Sequence, residues 1–411
     1  MILTEHHIIS KNKPEWKRID ELSFLSKNLY NACLWSIKNH FDETGLWLRF
    51  NEMYRKFYDE KNPYYFALPS ATSQQIMMLM DKNMKSYFAL LKMYRKNKNS
   101  LNGCPHFPKF KHPVKGRNVV IFRCDQPKLK DGYIIFPKRS GLSPVKTEIK
   151  GNIRQVRLLP QSSCYVIEIA YEKEVTQTFP PNDSWMSIDL GVDNLMTCFN
   201  TVGSKPIIVS GKPLKHINQY WNKKKANLQS ELSKKQTNRK TSKRIQKLTQ
   251  KRNRKVKDYI HKSSRLIINT CLESNISNIV IGYNKEWKQN VSMGDVNNQN
   301  FVQLPYLTLI KQIEYKAALL GISVLLNEES YTSKCSSMDL EIIKKHKNYK
   351  GQRPLRGMFI SETGHKINAD LNGAINILRK VIGDKGHIKR FVQTQSDRGQ
   401  VVWPFQVKLN K

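Results

Sequence analysis

Seventy lysines and arginines stand against 33 aspartates and glutamates in this 411-residue chain, a formal net charge of +37. A compact fold with that excess repels itself unless a polyanion offsets it. Nucleic acid is the first candidate partner and an anionic membrane surface the second. No window reaches about 18 apolar residues, so no membrane span is expected. The opening MILTEHHIISKNKPEW has no signal-peptide core. An intracellular setting is therefore expected, and a bacterial cytoplasm and a nucleus both fit it. Otherwise the balance is that of a globular protein, 39% hydrophobic and 25% charged, long enough for two or three domains. The seven cysteines, Cys33, Cys104, Cys124, Cys164, Cys198, Cys271 and Cys335, are scattered and none forms a C-x-x-C pair. They read as buried thiols rather than disulfides or a zinc site.

The pattern changes twice along the chain. Residues 11–103 are helical in period, with Leu22, Leu25, Leu29, Cys33, Ile37 and Phe41 at three- and four-residue steps. From Gly103 to Val175 short apolar runs alternate with Gly, Pro and Asp/Asn punctuation, which predicts a small β-barrel or sandwich that the strand around Ile2 to Ile9 joins. FPPNDS, 179–184, reads as a linker. Beyond Trp185 the order β-β-β-α-β-α-β-α predicts a mixed sheet flanked by helices. The fold class expected is thus α+β and multidomain.

Two carboxylates stand out in the third region. Asp189 follows the apolar run Trp185-Met186-Ser187-Ile188, and a charge at the end of a buried strand is costly unless it is paired or holds a cation. Its bland reading is a turn-forming Asp before Gly191. Asp370 opens a helix in INADLNGAINILRKVIG, where an N-cap is the bland reading. Two remote acids meeting at one sheet suggest a Mg²⁺ site, since hard divalent ions want oxygen ligands. Two ions about 4 Å apart can activate water and stabilise the leaving oxygen of a phosphodiester.

SIDLGVDNLMT, NIVIGYN, SYTSKCS and INADLNGAINILRK occur in that order. Together they resemble the split RuvC-type nuclease domain of the TnpB family, the transposon-encoded RNA-guided DNA endonucleases related to type V CRISPR effectors. The resemblance implies an RNase H-like RuvC α/β domain over 185–334 and 366–382, a REC-like helical domain over 11–103, and a wedge-like β-barrel from 1–10 and 104–180. It also implies a target-binding insert over 335–365 and a C-terminal tail over 383–411. A guide RNA from the transposon end, double-stranded target DNA, a short flanking motif and a two-ion Mg²⁺ site follow from it. So do a bacterial or archaeal cytoplasm, a companion transposase encoded nearby, and a monomeric protein.

The chain departs from that family twice. Where the family has Glu at the end of the fourth strand, this chain has Gly282. Either the nuclease is dead, or the acid comes from elsewhere, as it does in some members of the family. Glu328 and Glu329, at the end of the fifth strand, are the candidates. Strand alternation allows only one of them into the site, and Glu329 is the first choice. Glu286 is a weaker substitute, and a solvated strand end is the bland reading. The second departure is the insert, where the family carries a four-cysteine ribbon. Here Cys335 stands alone with His346 and His365, and no zinc is expected.

The basic stretch from Asn222 to Arg265 is too one-sided for a comfortable solvated helix pair, because like charges at i,i+4 destabilise a helix. Phosphate neutralisation explains it better, and Lys224, Arg239, Arg244, Arg252 and Arg254 are candidate backbone contacts. Lys109, Phe110 and Lys111 offer a base-stacking surface or merely a rigid link. Gln74 and Gln75 could read base edges. The reading reached is an RNA-guided, Mg²⁺-dependent DNA endonuclease. A nuclease-dead RNA-guided repressor and an RNA-independent transposase or resolvase are the alternatives.

Overall fold

A computed structural model describes residues 1–175, 179–234, 241–284, 302–398, 402–407 and 409. The chain divides into two compact units, Met1–Glu174 and Val175–Lys411.

In the first unit, strand β1 (Ile2–Ser10) leads into helix α1 (Glu15–Thr44). The three- and four-residue spacing of Leu22, Leu29, Cys33 and Ile37 buries one face of α1, and Gly45 ends the helix in the left-handed conformation that glycine adopts freely. Helices α2 (Phe50–Asp59), α3 (Pro63–Phe66) and α4 (Ser70–Lys96) follow. The strands are β2 (Val120–Arg123), β3 (Lys128–Lys130), β4 (Tyr133–Ile135), β5 (Val145–Lys146), β6 (Ile153–Pro160) and β7 (Cys164–Glu172). They form an antiparallel sheet in the order β1-β7-β6-β2 and a small sheet β3-β4-β5. The barrel expected from the sequence is not closed among the described residues, because β1 and β2 remain the edges of an open sheet. Helices and strands share one core, in which Leu29, Phe57 and Met80 pack with Val156, Leu158, Ile167 and Ile169.

The second unit is built on a six-stranded sheet. Its strands are β8 (Trp185–Asp189), β9 (Asn194–Asn200), β10 (Ile207–Ser210), β11 (Asn278–Gly282), β12 (Ser323–Asn327) and β16 (Phe405–Val407), in the order β12-β11-β8-β9-β10-β16. The hairpins β8-β9 and β9-β10 are antiparallel, whereas β8-β11, β11-β12 and β10-β16 are parallel. The basic region forms α5 (Lys212–Lys234) and α6 (Lys243–Glu273). Helix α7 (Tyr306–Ala318) follows, with Pro305 at its N-cap. The insert carries a small sheet of β13 (Gln352–Leu355), β14 (Met358–Ile360) and β15 (Lys366–Asn368), and α8 (Ala369–Ile382) and α9 (Gly386–Arg398) close the unit. Within the tail over 383–411, Phe405–Val407 supplies β16, which pairs with β10.

Strand alternation assigns the two faces of this sheet. Ile188, Ile279 and Ile281 point into a core with Ile267, Cys271, Ile310 and Ile313 of α6 and α7. Val280 and Phe199 point the other way, into a core with Leu371, Ala374, Ile375 and Leu378 of α8. Asp189 and Gly282, one and two residues beyond Ile188 and Val280, therefore fall on the α8 side. Among the described residues, no helix is long and apolar enough to cross a membrane.

Candidate active site

Three parallel strands end side by side. Ile188 of β8 pairs with Ile281 of β11, and Gly282 pairs with Asn327 of β12. The rim so formed brings Asp189, Gly282 and the segment after Asn327 together, and α8 lies across it.

Each acid has its own support. Asp189 backs onto Gly373 of α8, where an added Cβ would come within 2.9 Å of its Oδ2. Asp370 lies in the first turn of α8, but it is not the cap. Asn368 caps the helix, its side-chain oxygen accepting from the N–H groups of Asp370 and Leu371 at 3.1 Å each. That leaves the Asp370 carboxylate free to face the rim, where Asn194 Nδ2 donates to its Oδ2 at 2.7 Å. Arg353 Nη2 stands 3.7 Å from its Oδ1. Glu329 lies two residues beyond β12, and its carboxylate turns back toward β11. A Cβ on Gly282 would lie 2.9 Å from Glu329 Oε2 and 2.5 Å from Ile377 Cδ1. The glycine is thus the space that Glu329 and Ile377 occupy. Asn284 fastens Glu329 twice, donating to Oε1 at 3.3 Å and accepting from the Glu329 N–H at 3.2 Å.

Glu328, the other candidate, takes no part in this rim. It is exposed, accepts from Ser330 N–H at 3.0 Å and from Lys380 Nζ at 3.0 Å, and those partners hold it below the usual carboxylate range. The physical reason is its partners: Ser330 and Lys380 take up its carboxylate, while the space beside Gly282 is filled by Glu329. Glu286 lies outside the described residues.

The electrostatics are those of a site short of positive charge. Loss of hydration, followed by the charges of Glu329 and Asp370, raises the Asp189 carboxyl well above its ordinary pKa, and Arg353 offsets this only in part. Burial, followed by the charge of Glu328, raises Glu329 to about 7. Glu329 Oε2 is buried and has no hydrogen-bond partner among the described residues. Such an orphan is costly in a folded protein. Among the described residues no three acidic, His or Cys side chains are drawn together as a metal-ligand group. All-oxygen donors, an orphaned oxygen and raised carboxyl groups fit a hard divalent cation such as Mg²⁺.

The insert is held by hydrogen bonds. The Cys335 thiol points at the carbonyls of Ile342 and Lys344, each 3.6 Å away. Buried Glu341 accepts from the N–H groups of Ser336 at 2.8 Å and Lys350 at 3.1 Å. His346 Nε2 lies 2.7 Å from the Ile342 carbonyl, and His365 Nδ1 lies 2.8 Å from Thr363 Oγ1. Cys335 and His346 share the Ile342 carbonyl, whereas His365 bonds Thr363.

The basic candidates separate into two groups. Lys224, Arg244 and Arg254 are exposed on α5 and α6. Arg252 is turned inward: it donates to Asn218 Oδ1 at 2.8 Å and to the Gln303 carbonyl at 3.3 Å, and stacks over Trp221. These bonds tie α6 to α5 and to the segment before α7. Arg239 lies outside the described residues. In the first unit, Asn31 grips the backbone of Lys111 through bonds of 2.8 and 2.9 Å, and Lys27 Nζ donates to the Pro113 carbonyl. This pinned strap exposes Phe110 and Lys109, while the Lys111 ammonium tucks over the Tyr30 ring. Gln74 and Gln75 are half-buried near the start of α4.

The sequence reading missed Asn194, Asn284, Arg353 and Gly373. Asn194, Asn284 and Gly373 lie within motifs singled out there; Arg353 reaches the site from the insert.

Two family models match the chain. The probable-transposase model covers residues 168–288 and includes Asp189, and the Cas12f1-like TNB domain covers 306–377 and includes Glu329 and Asp370. The TnpB-like protein ORF457 of Acidianus two-tailed virus is 22% identical over 89% of this chain and 84% of its own length. The putative RNA-guided DNA endonuclease InsQ of Escherichia coli K12 is 26% identical over 71% of this chain and 72% of its own. Among solved structures, a Cas12f1–sgRNA–target DNA complex matches with a TM-score of 0.52 at 15% identity, covering 88% of this chain and 82% of that protein, a likeness of fold. By these matches the chain is similar to TnpB-like proteins and to their Cas12f relatives.

Proposed function

We propose that this chain is an RNA-guided DNA endonuclease that uses Mg²⁺ held by Asp189, Glu329 and Asp370. The observation that carries the reading is Glu329 Oε2, buried without a partner against Gly282 and beside Asp189. A nuclease-dead protein has no use for a costly carboxylate filling the space of the missing one. The relative InsQ, named as a putative RNA-guided DNA endonuclease, supports the same activity, and the +37 charge suits RNA and DNA partners.

A bound divalent ion supplies Lewis-acid chemistry, making water a better nucleophile and stabilising the departing oxygen of a phosphodiester. The chain's own groups hold the ligands in place. Asn194 orients Asp370, Asn284 orients Glu329, and the bare backbone at Gly373 lets Asp189 approach α8. Base pairing with a guide RNA carries sequence specificity, and exposed Lys224, Arg244 and Arg254 hold nucleic-acid backbone.

The test is cleavage of a matched plasmid by the purified protein–RNA complex in Mg²⁺. Cutting by wild type, lost in Asp189→Ala and Glu329→Gln and in EDTA, supports the reading. Wild type that binds the plasmid and never cuts makes the protein an RNA-guided repressor. Purification without structured RNA favours an RNA-independent transposase or resolvase.

A further inference from the structure

An acid at the end of β11 would be held by the ladder to β12, one residue past the last rung of the ladder to β8. Glu329 has no such frame. It lies two residues past the last rung of β12, in a turn-rich loop that runs from Glu328 to Ser336. A catalytic carboxylate must be held to within about 0.5 Å. Something other than a sheet must restrain this loop.

Helix α8 supplies the restraint. Asn372, Asn376 and Lys380 recur at four-residue steps and so share one face. Each donates to main-chain carbonyls of the loop. Asn372 Nδ2 donates to the Cys335 carbonyl at 2.9 Å, and Asn376 Nδ2 to those of Thr332 at 2.9 Å and Cys335 at 2.7 Å. Lys380 Nζ donates to the Glu328 carbonyl at 2.9 Å and the Ser330 carbonyl at 3.2 Å, the carbonyls on either side of Glu329. It also holds the Glu328 carboxylate at 3.0 Å. The same helix carries Asp370, the Gly373 seat of Asp189, and Ile377 against Gly282.

We propose that Lys380 is a positioning residue for Glu329, a clamp that replaces the lost strand ladder, with Glu328 as its counter-ion. The inference rests on reading Glu329 as an acid of the active site. It gives a use to the second glutamate of NEES: Glu328 orients the ammonium that fixes its neighbour. Asn372 and Asn376, both fully buried, hold the far end of the loop.

The test uses the full-length protein–RNA complex with Lys380→Met, Lys380→Arg and Glu329→Gln beside wild type. Three quantities are read: the Mg²⁺ concentration for half-maximal cleavage, hydrogen exchange of the 327–335 peptide, and target-DNA affinity. Lys380→Met is expected to raise the half-maximal Mg²⁺ by about 10- to 100-fold, as loss of an outer partner of a metal ligand does. Exchange in 327–335 should quicken, DNA affinity should stay unchanged, and Lys380→Arg should recover part of both losses. Wild-type Mg²⁺ dependence and exchange in Lys380→Met would overturn the clamp. Should Lys380→Met not fold, Lys380→Gln takes its place: a raised Mg²⁺ requirement supports the clamp and wild-type behaviour overturns it. Full cutting by Glu329→Gln overturns the parent reading of the site. Loss of cutting there, with a wild-type Lys380→Met, overturns the clamp alone.

Discussion

Glu329 and Glu341 are twelve residues apart, both withdrawn from solvent, and opposite in their surroundings. Glu341 is 4% exposed, and its two oxygens accept from the backbone N–H groups of Ser336 and Lys350. Glu329 has one long bond from Asn284 on one oxygen and nothing on the other. A buried carboxylate needs donors or a cation. Glu341 has its donors within the insert and serves as a structural tie. Glu329 lacks them, and its remaining demand is the kind that a divalent ion meets.

The sharpest way to break this contrast is to neutralise each glutamate. Glu329→Gln or Asp189→Asn should reduce cleavage by about 10³-fold or more while leaving the melting temperature in EDTA unchanged or higher, because a repulsion is removed. A clear fall in that melting temperature would make Glu329 structural, like Glu341. Gly282→Ala comes next. Its Cβ would lie 2.5 Å from Ile377 and 2.9 Å from Glu329, so the carboxylate must shift. Cleavage should fall by about 10²-fold, the effect of a displacement near 1 Å, and Ile377→Val in the same chain should recover part of it.

Glu341→Gln should cost about 1–3 kcal/mol in denaturant unfolding, since an amide nitrogen cannot accept from a backbone N–H. Unlike the Glu329 effect, this loss should not depend on Mg²⁺. An effect of similar size is one of pH. Glu329 has a folded-state pKa of about 7 against roughly 4.3 unfolded. The folded state therefore binds its proton more tightly. The stability tied to that proton is fully present below about pH 4.3 and is lost as pH rises through 7. In EDTA, wild type should lose on the order of 2 kcal/mol relative to Glu329→Gln between pH 5 and 8, and Mg²⁺ should flatten the difference. A flat difference in EDTA would mean that Glu329 is not held as a raised carboxyl.

The elements were largely legible in the sequence. The apolar runs Ile279-Val280-Ile281 and Trp185-Met186-Ser187-Ile188 placed β11 and β8, and the three- and four-residue spacing of Leu22, Leu29, Cys33 and Ile37 placed α1. Asp189 and Asp370 could be singled out because an acid beside an apolar run is an anomaly that local sequence displays. Arg252 could not be told from Arg244 or Arg254, since all three lie in one basic stretch. Only the packing of α5, α6 and Gln303 around it turns Arg252 inward. The barrel expected from the strand-rich segment was a matter of closure, which depends on which edges meet rather than on any strand's own pattern.

By itself the sequence determined the strong positive charge, most of the strands and helices, and a short set of candidate acids. The tertiary structure set Glu329 rather than Glu328 against Gly282, showed that Gly282 is the room Glu329 fills, and brought Lys380 to the carbonyls on either side of it. The reason lies in range. Periodicity and capping are local and can be read from neighbours in the chain. The facing of a side chain beyond the last rung of a strand, and the space left by a missing Cβ, are set by groups such as Ile377 and Lys380 that only folding brings near.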